Sequence, residues 1–389
     1  MTIQRAGTRG QDDREQWRAT RRLLNQRRDQ LAAAAERLYP DVPRVGSTRL
    51  LCRPEWLPAR PIELDQVQLR WTEPAPAPAI SGASPAAAHL RPRAADDQRY
   101  LTYADAVAAL DPPALFENRP AYRLLAASLT GTADGTHLDL TRGRYFDSTS
   151  VAEALAHELA VALPYGEAQI GMDGLPFRAA VGDPRDLSRR PASVAISTLT
   201  LRRSAFGGTS FVLHWRDPAK VTHAGGLYQV IPVGIFQPVA DSPDSERSDL
   251  SLWRGMVREF SEELVGTPED YASDDGPFNY DLWNFYRRLT AARDAGKLSV
   301  WCLGLGVDPL TLVADILTVA VFDSDLFDAT FTGLVADNSE GRVVASEGKT
   351  GFSFTQQAVS RFTSGAEPMQ AAGAAVLQLA WNHRALLLS

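Results

Sequence analysis

The sequence predicts a mixed α/β fold, and three patterns carry that expectation. Strong helix formers run through 12–38. Two β-rich runs, Val194–Arg202 and Ser210–Trp215, flank Phe206-Gly207-Gly208, whose permissive backbone suits a tight connection. A strand candidate at Tyr228–Phe236 is followed by an amphipathic helix at about Ser251–Val265.

At 389 residues the chain can bury a large core, and its length allows two or three domains or one domain with decorated ends. Hydrophobic residues at 44% and charged residues at 22% exclude wholesale disorder, collagen and coiled-coil rods. A net charge of -7 argues against a general nucleic-acid binder, which needs excess Lys and Arg to displace counterions from phosphates. Cys52 and Cys302 have no Cys or His partner at metal-ligand spacing, so both read as buried thiols. Residues Met1–Gly10 are polar and no apolar run approaches a bilayer's thickness, so the expected location is cytoplasmic, away from membranes.

Within 12–38, Asp12 and Asp13 sit at the positive end of the helix dipole and Pro40 lies beyond the last turn. Trp17, Leu24, Leu31 and Leu38 recur every seven residues, with Arg21 and Arg28 in the seam. Such a stripe either packs on its own domain or forms a homodimer through 12–38. Six arginines between Arg14 and Arg28 read as a solvated face.

Val67, Leu69 and Trp71 alternate like a half-buried strand, and the Pro/Ala/Ser-rich stretch after Thr72 reads as a linker. The expected division is therefore an amino-terminal helix and extended segment (1–71), a linker (72–96) and an α/β domain (97–389). Within that domain Tyr103–Leu110 and Ser150–Leu163 read as helices, and Tyr122–Ser128 and His137–Leu140 as strands around Asp134-Gly135. Further on, Asp281–Ala295 is a helix, Leu298–Gly304 and Asp315–Phe322 are strands, and Pro368–Leu388 is helical.

The densest chemistry is Arg258-Glu259-Phe260-Ser261-Glu262-Glu263. On an α-helix Trp253, Val257, Phe260 and Leu264 form an apolar stripe, while Glu259, Glu262 and Glu263 fan out on another face. Oxygen-only ligands at this density suit Mg²⁺ or Mn²⁺. The plain alternative is a solvated helix face with an Arg258–Glu262 pair four residues apart.

Gly225-Gly226-Leu227-Tyr228-Gln229-Val230-Ile231-Pro232-Val233-Gly234 followed by this hexapeptide resembles the strand and signature helix of the Nudix hydrolase superfamily, whose pattern is G-x5-E-x7-R-E-U-x-E-E-x-G-U. The R-E-U-x-E-E half matches. Leu250 stands at the first Glu position, Asp244 at the first Gly, and Val265 at the second, with Gly266 one place late. The resemblance implies a Nudix-like mixed sheet sandwiched by helices. It implies Glu262 and Glu263 as metal ligands, Glu259 as a ligand or helper of the attacking water, and Arg258 as organiser of the carboxylates. It also implies Mg²⁺-dependent hydrolysis of a nucleoside-diphosphate-type substrate, or a degenerate module that binds a nucleotide-like ligand in a regulatory or scaffold role. The chain as a whole is also similar to actinobacterial Nudix-like proteins whose relatives are labelled helix-turn-helix regulators, although no such motif is visible.

Other signals read more plainly. His157-Glu158 lacks the second zinc-protease histidine and reads as a helix-surface pair, and Gly304-Leu305-Gly306 reads as a strand exit. Ser210, His214 and Asp217 carry no triad information. His223 reads as a loop histidine, and Tyr228 and Trp253 as core aromatics. Asp315 and Asp323 are candidates for a further acid.

Overall fold

The computed structural model describes residues 2–113, 116–166, 170–216, 226–268, 277–332, 341–344 and 351–389. The chain runs through α1 (Thr2–Gln26), α2 (Arg28–Arg37), β1 (Ile62–Glu63), β2 (Gln68–Trp71), α3 (Tyr103–Leu110), β3 (Pro120–Leu129), β4 (Thr136–Arg144) and α4 (Tyr145–Ala162). Then come α5 (Pro176–Val181), the hairpin β5 (Val194–Arg203) and β6 (Thr209–Phe211), β7 (Leu213–Arg216), β8 (Tyr228–Val230) and β9 (Val233–Ile235). Helices α6 (Pro243–Ser248) and α7 (Leu252–Glu259) follow, and α7 runs into a π-helical turn at Phe260–Val265. The remainder comprises α8 (Asn284–Asp294), β10 (Leu298–Val307), β11 (Ala314–Asp323), α9 (Ser324–Thr330), β12 (Gly341–Val344), β13 (Phe352–Ser353), α10 (Gln356–Thr363), α11 (Ala371–Asn382) and α12 (Arg384–Leu387).

The fold is mixed α/β, as expected. Its central sheet has the order β1-β10-β11-β5-β6-β13, with β9 also on β5. β11 and β5 pair in parallel, while β10 with β11, β5 with β6 and β5 with β9 are antiparallel. Both central strands, β5 and β11, are buried for most of their length, so they read as continuous apolar and Thr-rich runs instead of alternating ones. Two smaller sheets, β12-β7-β8 and β2-β4-β3, flank the central one.

The single strand expected over Tyr228–Phe236 is divided between two sheets. β8 pairs with β7, and β9 pairs with β5. Pro232 lies at the crossing, where its missing N–H makes it unfit for a sheet interior, and its carbonyl instead accepts from Thr198 N at 2.9 Å.

Strands on the two sides of 72–96 share sheets. β1 pairs with β10 and β2 with β4, so residues 62–71 belong to the same sheets as later strands. Ala87 and Leu90 of the stretch are buried, and Pro76 O accepts from Arg123 Nη1 at 2.6 Å. One continuous core spans both sides of it.

The stripe on α1 and α2 is covered within the chain. Leu24 and Leu31 are fully buried against Ala156, Leu159, Ala160 and Leu163, and Trp17 packs beside Tyr103 and His157. A homodimer through 12–38, the alternative reading of this stripe, would need the face that α4 occupies. Arg21, a misfit in that seam, is fully buried and donates to Asp111 at 3.0 Å and Glu153 at 3.3 Å.

His157 and Glu158 are likewise buried, not a surface pair. His157 Nδ1 bonds Tyr103 OH at 2.9 Å, and burial beside Arg21 holds its pKa far down, at about 3. The Glu158 carboxylate accepts the N–H groups of Phe177 (2.7 Å) and Arg178 (2.9 Å), at the start of α5. Gly304-Leu305-Gly306 lies within β10, not at its exit. A Cβ on Gly304 would fall 2.8 Å from Trp56 O, and one on Gly306 would meet Leu50 at 2.2 Å, so these glycines let the 50–57 segment approach the strand. Cys52 and Cys302 are buried and unbridged, and burial pushes their thiols up to about 11 and about 12. Among the described residues no helix is long and apolar enough to cross a membrane.

Candidate functional site: the signature helix and the cleft behind β9

Ser251 caps α7, its side chain accepting from Arg254 N, and Trp253, Met256, Val257, Phe260 and Leu264 are buried as the apolar stripe requires. Gly255 admits Phe236 and Ile196 within 3.5 Å of where a Cβ would stand, seating the helix on the sheet. After Glu259 the helix widens into the π turn, closed by Gly266 in the left-handed region at φ 77°. A π turn holds more residues than an α turn, so the fan drawn for Glu259, Glu262 and Glu263 at α spacing is not kept.

All three carboxylates are half-buried, and those of Glu259 and Glu263 lie against β9. Glu263 Oε1 accepts the N–H of Val233 at 2.7 Å. The Glu259 carboxylate lies over Gly234, where a Cβ would stand only 1.9 Å from Oε1. Among the described residues no group of three or more His, Cys, Asp or Glu side chains is gathered as a metal ion requires. The expected metal set Glu259, Glu262 and Glu263 is thus not brought together, because one oxygen serves a backbone donor and another carboxylate packs on a glycine. As arranged, these residues do not fit Mg²⁺ or Mn²⁺.

Arg258 is also differently employed. It is buried, and its Nη2 donates to Gln237 O at 2.5 Å. Burial opposes its charge, but Tyr280, Asp249, Glu259 and Glu262 outweigh that and hold its pKa above the ordinary arginine value. Fully buried Asp249 accepts from Tyr280 OH (2.7 Å) and Val239 N (2.9 Å). Asp249 stands one place before Leu250, and its carboxylate favours the charge on Arg258. Arg258 is therefore held within a buried polar core.

On the other face of β9 lies a cleft of about 300 Å³. Val233, Gly234 and Ile235 form one wall, α2 contributes Arg28, Asp29 and Ala32, and α4 contributes Ser148, Thr149, Ala152 and Glu153. Arg28 Nη2 donates to Glu153 at 2.9 Å, while its Nη1 is buried with no hydrogen-bond partner. Arg49 pairs with Asp29 at 2.6 Å. Asp315, named from sequence as a further acid, lines the cleft, and its Oδ1 accepts from Ser197 Oγ at 2.8 Å. Burial pushes its carboxyl up to about 7. Asp323 is elsewhere, paired with Arg203 at 2.9 Å. Sequence reading missed Arg28 as a site residue, although a charge inside an apolar heptad seam was its signal.

Of the remaining expectations, Trp253 donates to Thr290 Oγ1 at 3.0 Å under the Arg293 guanidinium, and Tyr228 packs edge-on to Phe362, so both are core. His214 is buried on β7, while Ser210 lies on β6 of another sheet. Asp217, His223 and Gly225 lie outside the described residues.

No family model matches the chain, and neither does any curated protein. A solved structure similar to part of it is that of a Nudix hydrolase from Alicyclobacillus acidocaldarius. The two share 17% identity over 48% of this chain and 90% of that chain, with a TM-score of 0.24.

Proposed function

We propose that this protein binds a small nucleotide-like ligand in the cleft between α2, α4 and β9, as a regulatory or scaffold module, with its signature helix bracing the cleft wall from behind. The observation that carries this reading is that Val233 and Gly234 line the cleft and also receive Glu263 and Glu259 from the other side. The volume lies at the small end for ligand sites, and the lining sets many polar and charged side chains beside its apolar ones, as suits a polar ligand. The proposal puts the module in the cytoplasm, where two buried, unpaired thiols suit a reducing compartment.

The test is a thermal-shift and calorimetric screen of nucleoside monophosphates, nucleoside diphosphates, diphosphate sugars and dinucleotides, run in chelator and again with Mg²⁺ or Mn²⁺. Released phosphate is followed in parallel. The expected result is binding in chelator without hydrolysis; no binding by any member in either condition contradicts it.

A second reading, Mg²⁺- or Mn²⁺-dependent hydrolysis of a nucleoside-diphosphate-type substrate, has one observation in its favour. Asp249 supplies a buried carboxylate to the field of Arg258 despite Leu250. Metal-dependent phosphate release in the same screen would carry it.

A further inference from the structure

The unsatisfied part of the cleft is on the α2 side. Glu153 divides one negative charge between two arginines, its Oε1 taken by Arg28 at 2.9 Å and its Oε2 by Arg21 at 3.3 Å. The Arg28 side chain lines the cleft while only 10% exposed, and its Nη1, itself shielded from the open space, has no acceptor, so the guanidinium is under-matched. Leaving such a donor unmatched costs more than a neutral one, because the desolvation penalty of a charge is larger.

The other acids around the cleft do not compete for that donor. Asp29 is engaged by Arg49. Asp308 Oδ1 accepts from Leu310 N (3.0 Å), Thr311 N (2.8 Å) and Thr311 Oγ1 (2.8 Å). Asp315 is held by Ser197, and burial keeps its carboxyl largely protonated below about 7, which makes it a potential donor instead of a repelling charge.

We infer that the ligand enters the cleft with an oxyanion, a phosphate or a carboxylate, set against the Arg28 guanidinium. The anionic end of the ligand is then recognised by the amino-terminal helical layer, on the opposite side of β9 from the signature helix. A charge-assisted bond there gives α2 a role in binding that no part of the signature motif supplies. The inference rests on the cleft being the ligand site.

The experiment is calorimetric titration of the full chain with inorganic phosphate, pyrophosphate and succinate, followed by the nucleotide that binds best. Binding of a phosphate probe or of succinate supports the inference and names the source of the oxyanion. Arg28→Gln should lose about tenfold or more in affinity. Ala32→Phe, which fills the cleft without altering charge, should abolish binding, and Arg202→Gln, in the Arg202–Asp328 surface pair outside the cleft lining, should leave it unchanged. If Arg28→Gln does not fold, Arg28→Lys keeps the charge beside Glu153 and loses the fork, and its affinity should fall while Ala32→Phe still blocks. Equal nucleotide binding by the parent and by the Arg28 variant that folds overturns this inference and leaves the cleft reading standing. No binding of any probe by the parent overturns both.

Discussion

Glu263 Oε1 accepts the backbone N–H of Val233 at 2.7 Å, tying the π turn that follows α7 to β9. A hydrogen bond to a charged acceptor contributes about 1.5–3 kcal/mol, and its loss leaves a partly buried backbone donor unmatched. A chemically reactive pattern in the sequence thus holds a cleft wall in the structure. Chemistry inferred from spacing depends on where the oxygens point, and here Glu263 Oε1 points at backbone.

Gly234→Ala should destabilise the protein by about 1–3 kcal/mol, because its Cβ would stand within 2.3 Å of both Glu259 carboxylate oxygens. Most of that cost should vanish in a Glu259→Ala background. Urea unfolding of the two single variants and the double variant measures the coupling; strictly additive losses would show that Glu259 is not what Gly234 accommodates.

Asp249→Asn should cost about 3 kcal/mol, because it removes the charge opposite Arg258 while Tyr280 OH and Val239 N still point at the site. Asn keeps the shape, so the loss isolates the electrostatic part. A change under about 0.5 kcal/mol by chemical denaturation would mean the arginine is neutralised by Glu259 and Glu262 instead.

The folded-state carboxyl of Asp315 is raised from 3.8 to about 7 by burial, so the folded protein holds a proton that the unfolded chain releases. Its contribution is neutral below about 4, turns unfavourable as pH rises from there, and reaches about 4 kcal/mol at most above pH 7. Asp315→Asn should therefore stabilise the protein at pH 8 and change little at pH 4. Equal effects at both pH values would contradict the buried, protonated carboxyl.

How far the sequence revealed this molecule depended on whether its signals were local. Tyr103–Leu110 begins at a Thr102–Asp105 capping box and α7 at Ser251, so both helices were legible from neighbouring residues. The β5–β6 hairpin was legible in its glycines. The split between β8 and β9 was not, since both runs are apolar and only the pairing partners differ. The π turn has no residue pattern that separates it from an α-helix. The cleft is built from α2, α4, β9 and β11, distant in sequence, so Asp315 was visible only as a strand-end acid and Arg28 only as a charge in the wrong seam.

Because Leu31 is fully buried against α4, Leu31→Ala should cost about 2–5 kcal/mol. Deleting residues 1–40 should expose Ala156, Leu159 and Leu163 and leave buried Glu153 without Arg21 and Arg28, giving an aggregating or unfolded chain. A soluble, cooperatively folded product by circular dichroism and light scattering would instead restore the dimerising role for this helix.

The most direct test of the central claim is the thermal unfolding of Glu263→Ala against the parent in chelator. If Glu263 braces Val233, the variant loses about 1.5–3 kcal/mol with no metal present, and adding Mg²⁺ or Mn²⁺ does not change the gap. If the three glutamates instead repel one another as an empty cation site, the variant is as stable as the parent or more so in chelator, and Mg²⁺ raises the melting temperature of the parent alone.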